Sequence, residues 1–317
     1  MSELSMTGGA EARPGTFAIW RQASRAWTLT LAVVGVLAGT AAAVYRGADF
    51  SLERFILAAV GAASLQAAAN MINDYYDYVL GTDRFDDLSP EHFGPGLAIQ
   101  QGLVTPNQLW WGGAIATVIG ASLGLVLVYQ CGWVVLAIGI LSVAAAYFYT
   151  APPLSLAYHG LGDLAVFLFM GPGFVLGGYY VQAGGFSWSA IVVCIAMGLL
   201  ASAVLQVNNM RDIENDRAHG KRTFSVIVGR QATIAELVAS DALAYGVIVL
   251  GVFTGALPLL TLAVLVTLPR AIGQIRLVST ATDWRNMNSA LNLTGRLHLE
   301  FGVLIAAAML IGRFFSL

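Results

Sequence analysis

The sequence predicts an all-α protein, a polytopic membrane bundle of nine transmembrane helices with a cytoplasmic amino terminus. Three observations carry that prediction. The 317-residue chain is 57% hydrophobic and only 11% charged, and its mean hydropathy of +0.73 is far above that of a soluble domain. Its apolar residues gather into runs of about 20, the length a helix needs to cross ~30 Å of hydrocarbon. None of the runs shows the alternation of an outer-membrane strand. Finally, the basic residues between the runs fall mostly on one side.

The runs lie at 27–45, 55–74, 108–129, 132–149, 163–182, 188–207, 238–254, 257–274 and 299–315. The first follows a long leader and is of full span length, so it reads as a retained span rather than a cleaved signal peptide. Residues 1–26 then form a cytoplasmic tail, expected to be partly disordered, and 27–317 a single transmembrane domain. Cys131 and Cys194 are the only cysteines, which indicates neither a disulfide framework nor a thiolate metal site. Both read as packing residues.

Nine spans divide the sixteen Lys and Arg unevenly. Arg13, Arg21, Arg25, Arg84, Arg211, Arg217, Lys221, Arg222, Arg230, Arg270, Arg276, Arg285 and Arg296 share one side. Only Arg46, Arg54 and Arg313 lie on the other. The positive-inside rule makes the first side cytoplasmic. The three longest loops, 81–107, 208–237 and 275–298, face it. Of the acidic residues only Asp49 and Glu53 are placed outside. The rest crowd the inner rim, where chemistry is therefore expected.

Two motifs stand out there. In N-D-Y-Y-D-Y-V-L-G-T-D, Asn73 and Asp77 are four apart and share a helix face. Gly81 is a helix stop that lets the chain turn and bring Asp83 back towards them. In N-N-M-R-D-I-E-N-D-R-A-H-G-K-R-T, Asn208, Asp212 and Asp216 recur at four-residue intervals as a second polar stripe. Carboxylate and amide oxygens are the hard ligands Mg2+ prefers, usually with substrate phosphates and waters completing its shell. Arg211, Arg217, Lys221 and Arg222 sit within or just after this second motif and suit phosphate oxygens as a leaving group develops charge. The plain alternative is that Asp and Asn merely cap helix ends in polar loops. Two such motifs at helical spacing on one side of a membrane favour function, because charge near hydrocarbon is costly without partners.

With these residues in place, the chain resembles the UbiA superfamily of intramembrane aromatic prenyltransferases over almost its whole length. Within it, the pattern Asn73-x3-Asp77-x5-Asp83 resembles the MenA type, the 1,4-dihydroxy-2-naphthoate polyprenyltransferases. The segments Y-T-A-P-P at 149–153, G-L-G-D-L at 160–164, 208–223 and R-L-H-L at 296–299 look like that subfamily too. One departure is Leu97, in Gly94-Pro95-Gly96-Leu97, where such loops commonly carry arginine.

The resemblance implies a UbiA-like domain in which Asn73, Asp77, Asp83, Asn208, Asp212 and Asp216 bind two magnesium ions that hold an allylic polyprenyl diphosphate. Asp77, Asp83, Asp212 and Asp216 are the catalytic carboxylates on this reading. The substrates are a polyprenyl diphosphate and an aromatic acceptor, within the lipid bilayer of a bacterial cytoplasmic membrane. No nucleic acid and no obligate protein partner is inferred. The product expected from a dihydroxynaphthoate, after loss of carbon dioxide, is demethylmenaquinone.

Tyr149, in the matching Y-T-A-P-P, is a candidate to face the carbocation, although it, Tyr147, Tyr76 and Tyr78 also suit an interfacial aromatic belt. Asp163 and His298 are candidates for acceptor contact. Their plain readings are a charge at a helix amino terminus and a polar rim residue. Asp86 and Asp87, in D-R-F-D-D, read as solvated loop charges. Rival classes fit less well: a transporter calls for polar groups through the full membrane depth, and the D-G-x-x-A-R signature of a CDP-alcohol phosphotransferase is absent.

Overall fold

A computed structural model describes residues 14–83 and 98–315. Every regular element among the described residues is helical. Thr16–Ala23 forms a short helix, α1, in what is expected as the tail, and a 3-10 turn at Ala26–Thr28 leads into α2, Leu29–Tyr45. Then come α3, Leu52–Leu80; α4, Pro106–Cys131; and α5, Trp133–Phe148. The next crossing is composite: α6, Gly162–Leu168, a π-helical stretch Phe169–Leu176 containing Pro172, and α7, Gly177–Ala183. After it come α8, Trp188–Ala218; α9, Phe224–Val228; and α10, Arg230–Phe253. A 3-10 segment, Leu259–Thr267, runs into α11, Leu268–Thr280, and α12, Trp284–Phe315, closes the bundle.

Eight helices among the described residues are long and apolar enough to cross a membrane. The short one is α5, whose 16 residues reach only about 24 Å at 1.5 Å per residue. Among the longer helices, α3 has 29 residues and α8 has 31, about 44 and 46 Å. Both outrun ~30 Å of hydrocarbon, and the excess at their carboxyl ends carries the two aspartate motifs.

Two expected loops are corrected. Most of 208–237 and 275–298 is helix, since α8 runs on to Ala218, α10 begins at Arg230, α11 ends at Thr280 and α12 begins at Trp284. Hydropathy marks only the apolar part of a helix; polar turns beyond it stay helical where neighbouring helices satisfy their side chains. The early start of α10 places Asp241 halfway along it rather than at an inner end. Buried there, its carboxylate accepts a hydrogen bond from Gln274 on α11 (2.6 Å). His298 is likewise mid-helix in α12 and 1% exposed, not a rim residue. Acidic and basic groups therefore do not keep wholly to one rim.

At the centre lies α8, packed against α2, α6, α10 and α12. The main core interleaves Met197 and Leu200 of α8 with Val34 of α2, Ile248 of α10, and Phe301 and Ile305 of α12. Helices α3 and α4 pack against each other beside a smaller core that includes Ile19 of α1, Met71 and Leu109. Helices α3 and α8 end at the same rim of the bundle, where Asn215 of α8 donates to the Thr82 carbonyl just after α3 (3.0 Å).

Candidate active site

The first motif is assembled by the end of α3. The helix stops at Leu80 because Gly81 takes φ 93°, a left-handed backbone that a side chain would oppose by roughly 1–2 kcal/mol. The turn returns the chain so that the Asp83 amide donates to the Asp77 carbonyl (3.2 Å). Asp77, 3% exposed, receives three donors: the Tyr158 hydroxyl (2.7 Å), the Lys221 ammonium (2.8 Å) and the Asn73 amide (3.0 Å). The same Asn73 nitrogen also donates to the Thr150 hydroxyl (2.9 Å). Nearby, Gln100 donates to the Asp83 carbonyl (2.6 Å).

The second motif lies on the last turns of α8. Both carboxylate oxygens of Asp212 accept from Arg211, from Nε at 2.9 Å and from a terminal nitrogen at 2.8 Å. Arg211 also donates to the side-chain amide oxygens of Asn208 (3.0 Å) and of Asn288 on α12 (2.8 Å), and its guanidinium lies 4.5 Å from the Trp284 ring centroid. Lys221 joins the two motifs, since its ammonium is 2.8 Å from Asp77 and 3.9 Å from Asp216.

Electrostatics follow from this crowding. Burial, then the carboxylate of Asp77, raises the Asp83 carboxyl to about 6; Asp212 adds to the rise while Lys221 and Arg25 oppose it. Burial lowers Lys221, but Asp77, Asp216 and Asp83 more than offset it and hold the ammonium well above its ordinary value. Burial also raises the hydroxyl of Tyr158.

Among the described residues no three His, Cys, Asp or Glu side chains stand ready as a metal site, and Asp77 and Asp212 are held by the protein's own cations. The donor chemistry nevertheless fits a hard divalent ion. Six residues bearing amide or carboxylate oxygens, Asn73, Asp77, Asp83, Asn208, Asp212 and Asp216, lie at one rim, and the repulsion from Asp77 and Asp212 that adds to burial in raising Asp83 is one such an ion would relieve.

A cavity of about 170 Å³ opens from this rim into the bundle. Arg25, Asn73, Asn208, Lys221 and Tyr149 line it, with apolar walls that include Leu31, Phe169, Met170 and Val204. A second, apolar cavity of about 480 Å³ shares Leu65, Ser142 and Phe174 with the first.

Other expected site residues lie elsewhere. Arg217 is exposed and pairs with Glu214 (3.2 Å), and Arg222, also exposed, bridges by its backbone to His159. Asp163 is buried but absent from the cavity lining, with one carboxylate oxygen lacking a partner. His298 is buried beside the Met197 backbone and likewise does not line the cavity. Arg13, Arg84, Asp86, Asp87 and Leu97 lie outside the described residues. Sequence reasoning missed Tyr158, Thr150 and Arg25. Thr150 lies within the Y-T-A-P-P segment and Tyr158 shortly after it, the only signal that pointed to them; Arg25 was visible only as one inner cation among many.

Residues 32–296 match the UbiA prenyltransferase family. The chain is 30% identical over 296 residues to the 1,4-dihydroxy-2-naphthoate octaprenyltransferase of Bacillus subtilis, covering 93% of each. With the enzyme of that name from Mycobacterium tuberculosis it is 33% identical over 301 residues, 94% of this chain and 99% of that one. Among solved structures, a UbiA homolog from Aeropyrum pernix aligns with TM-score 0.64 at 18% identity, over 88% of this chain and 97% of the other. A UbiA homolog from Archaeoglobus fulgidus bound to DMAPP and Mg2+ aligns with TM-score 0.60 at 16% identity, over 91% and 99%. The two crystal structures share the fold; the family match and the two enzymes place the sequence. The chain belongs to the UbiA prenyltransferase family.

Proposed function

We propose that this protein transfers a polyprenyl group from an allylic polyprenyl diphosphate to 1,4-dihydroxy-2-naphthoate with loss of carbon dioxide, giving the hydroquinone form of demethylmenaquinone in menaquinone biosynthesis. The observation that carries the reading is the junction of Asp77, Lys221 and Asn73 with the mouth of an apolar cavity. A polar, cation-bearing rim suits a diphosphate. The apolar walls suit an isoprenoid tail, and Leu65, Ser142 and Phe174, common to both cavities, mark a path for it. Similarity to the naphthoate octaprenyltransferases supports the choice of acceptor.

In this reaction the allylic carbon–oxygen bond breaks and diphosphate leaves with the electron pair. The electron-rich ring carbon bonds to the prenyl cation, and the carboxylate departs as carbon dioxide, restoring the aromatic ring. Mg2+ held by Asn73, Asp77, Asp83, Asn208, Asp212 and Asp216 would neutralise the diphosphate. Lys221 and Arg211 add cationic donors to the phosphate oxygens. Tyr158 and Asn73 orient Asp77 through its hydrogen bonds. The apolar walls keep water from capturing the cation, and Tyr149 presents a ring to it.

The same reading assigns nine spans, counting the short α5, an amino terminus in the cytoplasm and a bacterial cytoplasmic membrane, with 27–317 as one domain. Purified full-length protein, supplied with Mg2+, a polyprenyl diphosphate and 1,4-dihydroxy-2-naphthoate, should yield a prenylated, decarboxylated product by mass spectrometry. Folded protein that makes no lipid product from any aromatic acceptor would sink the proposal.

A further inference from the structure

The elbow between α1 and α2 carries a cation that the two motifs do not use. Arg25 adopts φ 48° just before the 3-10 turn Ala26–Thr28, and its guanidinium pairs with Asp74 on α3. Asp74 and Asn70 form a second ladder on α3, about 60° around the helix from Asn73 and Asp77 at 3.6 residues per turn. Asn70 ties the elbow down by donating to the Ser24 carbonyl (2.9 Å) and the Thr28 hydroxyl (2.8 Å). One ladder thus meets Lys221 and the other meets the elbow.

Both ladders reach the same cavity, since Arg25, Trp27 and Asn70 line it together with Asn73, Asn208 and Lys221. The pair with Asp74 leaves capacity unused: Arg25 Nε and Asp74 Oδ2 are buried without partners. Burial opposes the Arg25 charge, but Asp74, Asp83 and Asp77 raise it further, so the guanidinium stays cationic. Two residues on, Trp27 also lines the cavity. Its ring fills the space beside Gly295 on α12, where an added Cβ would come within 2.9 Å of a ring carbon.

We propose that Arg25 binds the carboxylate of the aromatic acceptor, with Trp27 against the acceptor ring. The inference rests on the function proposed above. There, the diphosphate is served by the motif oxygens, Lys221 and Arg211, which leaves the ring carboxylate as the one substrate anion without a cation. A guanidinium fork matches a planar carboxylate better than a point charge does, and an indole face suits a bicyclic ring. Arg25 is thereby a specificity residue: it selects hydroxynaphthoic acids over rings that lack the acid.

The test uses full-length protein in lipid nanodiscs and one prenyl diphosphate. Two acceptors are compared, 1,4-dihydroxy-2-naphthoate and 1,4-dihydroxynaphthalene, the latter losing a proton where the former loses carbon dioxide. The double variant Arg25→Gln/Asp74→Asn removes both charges, so neither is left buried and alone. Its acceptor KM for the naphthoate should rise at least about tenfold with the donor KM within about twofold, a tenfold change being one decade of affinity. The diol should respond equally in both proteins. Inhibition by 1-hydroxy-2-naphthoate and by 1-naphthol reads the same contrast without turnover of the diol: the wild type should prefer the acid, and the variant should not. A rise in donor KM would make Arg25 a diphosphate contact and overturn the proposal. Equal losses on both acceptors would make it only a structural staple, and unchanged kinetics would remove it from the site. A wild type inactive towards the naphthoate would instead refute the function proposed above.

Discussion

Asp77 and Asp212 occupy equivalent places in the two motifs but stand in different surroundings. The Asp77 side chain is 4% exposed and bound to a buried ammonium, whereas that of Asp212 is 18% exposed and held by the neighbouring Arg211. Removing one partner of a buried pair strands the other and costs about 3–5 kcal/mol, while a pair nearer solvent is worth about 1 kcal/mol or less. Asp77→Asn and Asp212→Asn are therefore expected to lower turnover alike, by about 100-fold or more, as losing a key charge-stabilising group does. Only Asp77→Asn should also lower the melting temperature by several degrees. Parallel kinetics and thermal unfolding check this, and near-normal turnover in both variants would remove the motifs from the reaction.

The turn after α3 is the element that converts a linear motif into a cluster. Asn73 and Asp77 are already in register on the helix, but Asp83 returns only because Gly81 permits a left-handed backbone. The cluster that results has a pH signature. Burial first, and then the Asp77 carboxylate, hold Asp83 at about 6, above its ordinary 3.8, so below pH 6 the folded protein keeps a proton that a metal must displace. The magnesium concentration for half-maximal activity should rise as pH falls below 6, approaching about tenfold per pH unit for one displaced proton, and Asp83→Asn should flatten that slope. In metal-free protein the sign for stability is related: the raised carboxyl favours the folded state below pH 4, and this contribution is lost as pH rises through 6. A magnesium requirement that stays constant from pH 5 to 7 would contradict the assignment.

Across the whole molecule, motif placement and charge distribution point to the same side. The ends of α3 and α8 meet through Lys221–Asp77 and Asn215–Thr82, and the sequence division of Lys and Arg assigns most of them to the same side. Short contacts tie the opposite rim, where Gln130 reaches Glu53 and Gln182 reaches Ser51. With an odd number of spans, the termini should lie on opposite sides. A reporter fused to the amino terminus is expected to report a cytoplasmic location, and one at the carboxyl terminus an external one. Both termini on one side would break the nine-span assignment.

Several features were legible in the sequence because they are local. Apolar run length gave the membrane class, four-residue spacing put Asn73 with Asp77 and Asn208 with Asp212, and Gly81 marked the end of α3. Reading by hydropathy failed where helices continue beyond their apolar stretch, which is why Asp241 and His298 were placed at a rim instead of in mid-helix. Which cation serves which carboxylate was not legible either. Lys221 lies 144 residues from Asp77, and Arg25 lies 49 from Asp74. No periodicity reports a contact at that separation, because it depends on how α3, α8 and the α1–α2 elbow pack. The sequence by itself determined the membrane bundle and the types of oxygen-bearing side chain gathered at one of its rims. Only the tertiary structure decided that Lys221 bridges the motifs and Arg25 enters the cavity, since long-range pairing is set by helix packing rather than by spacing along the chain.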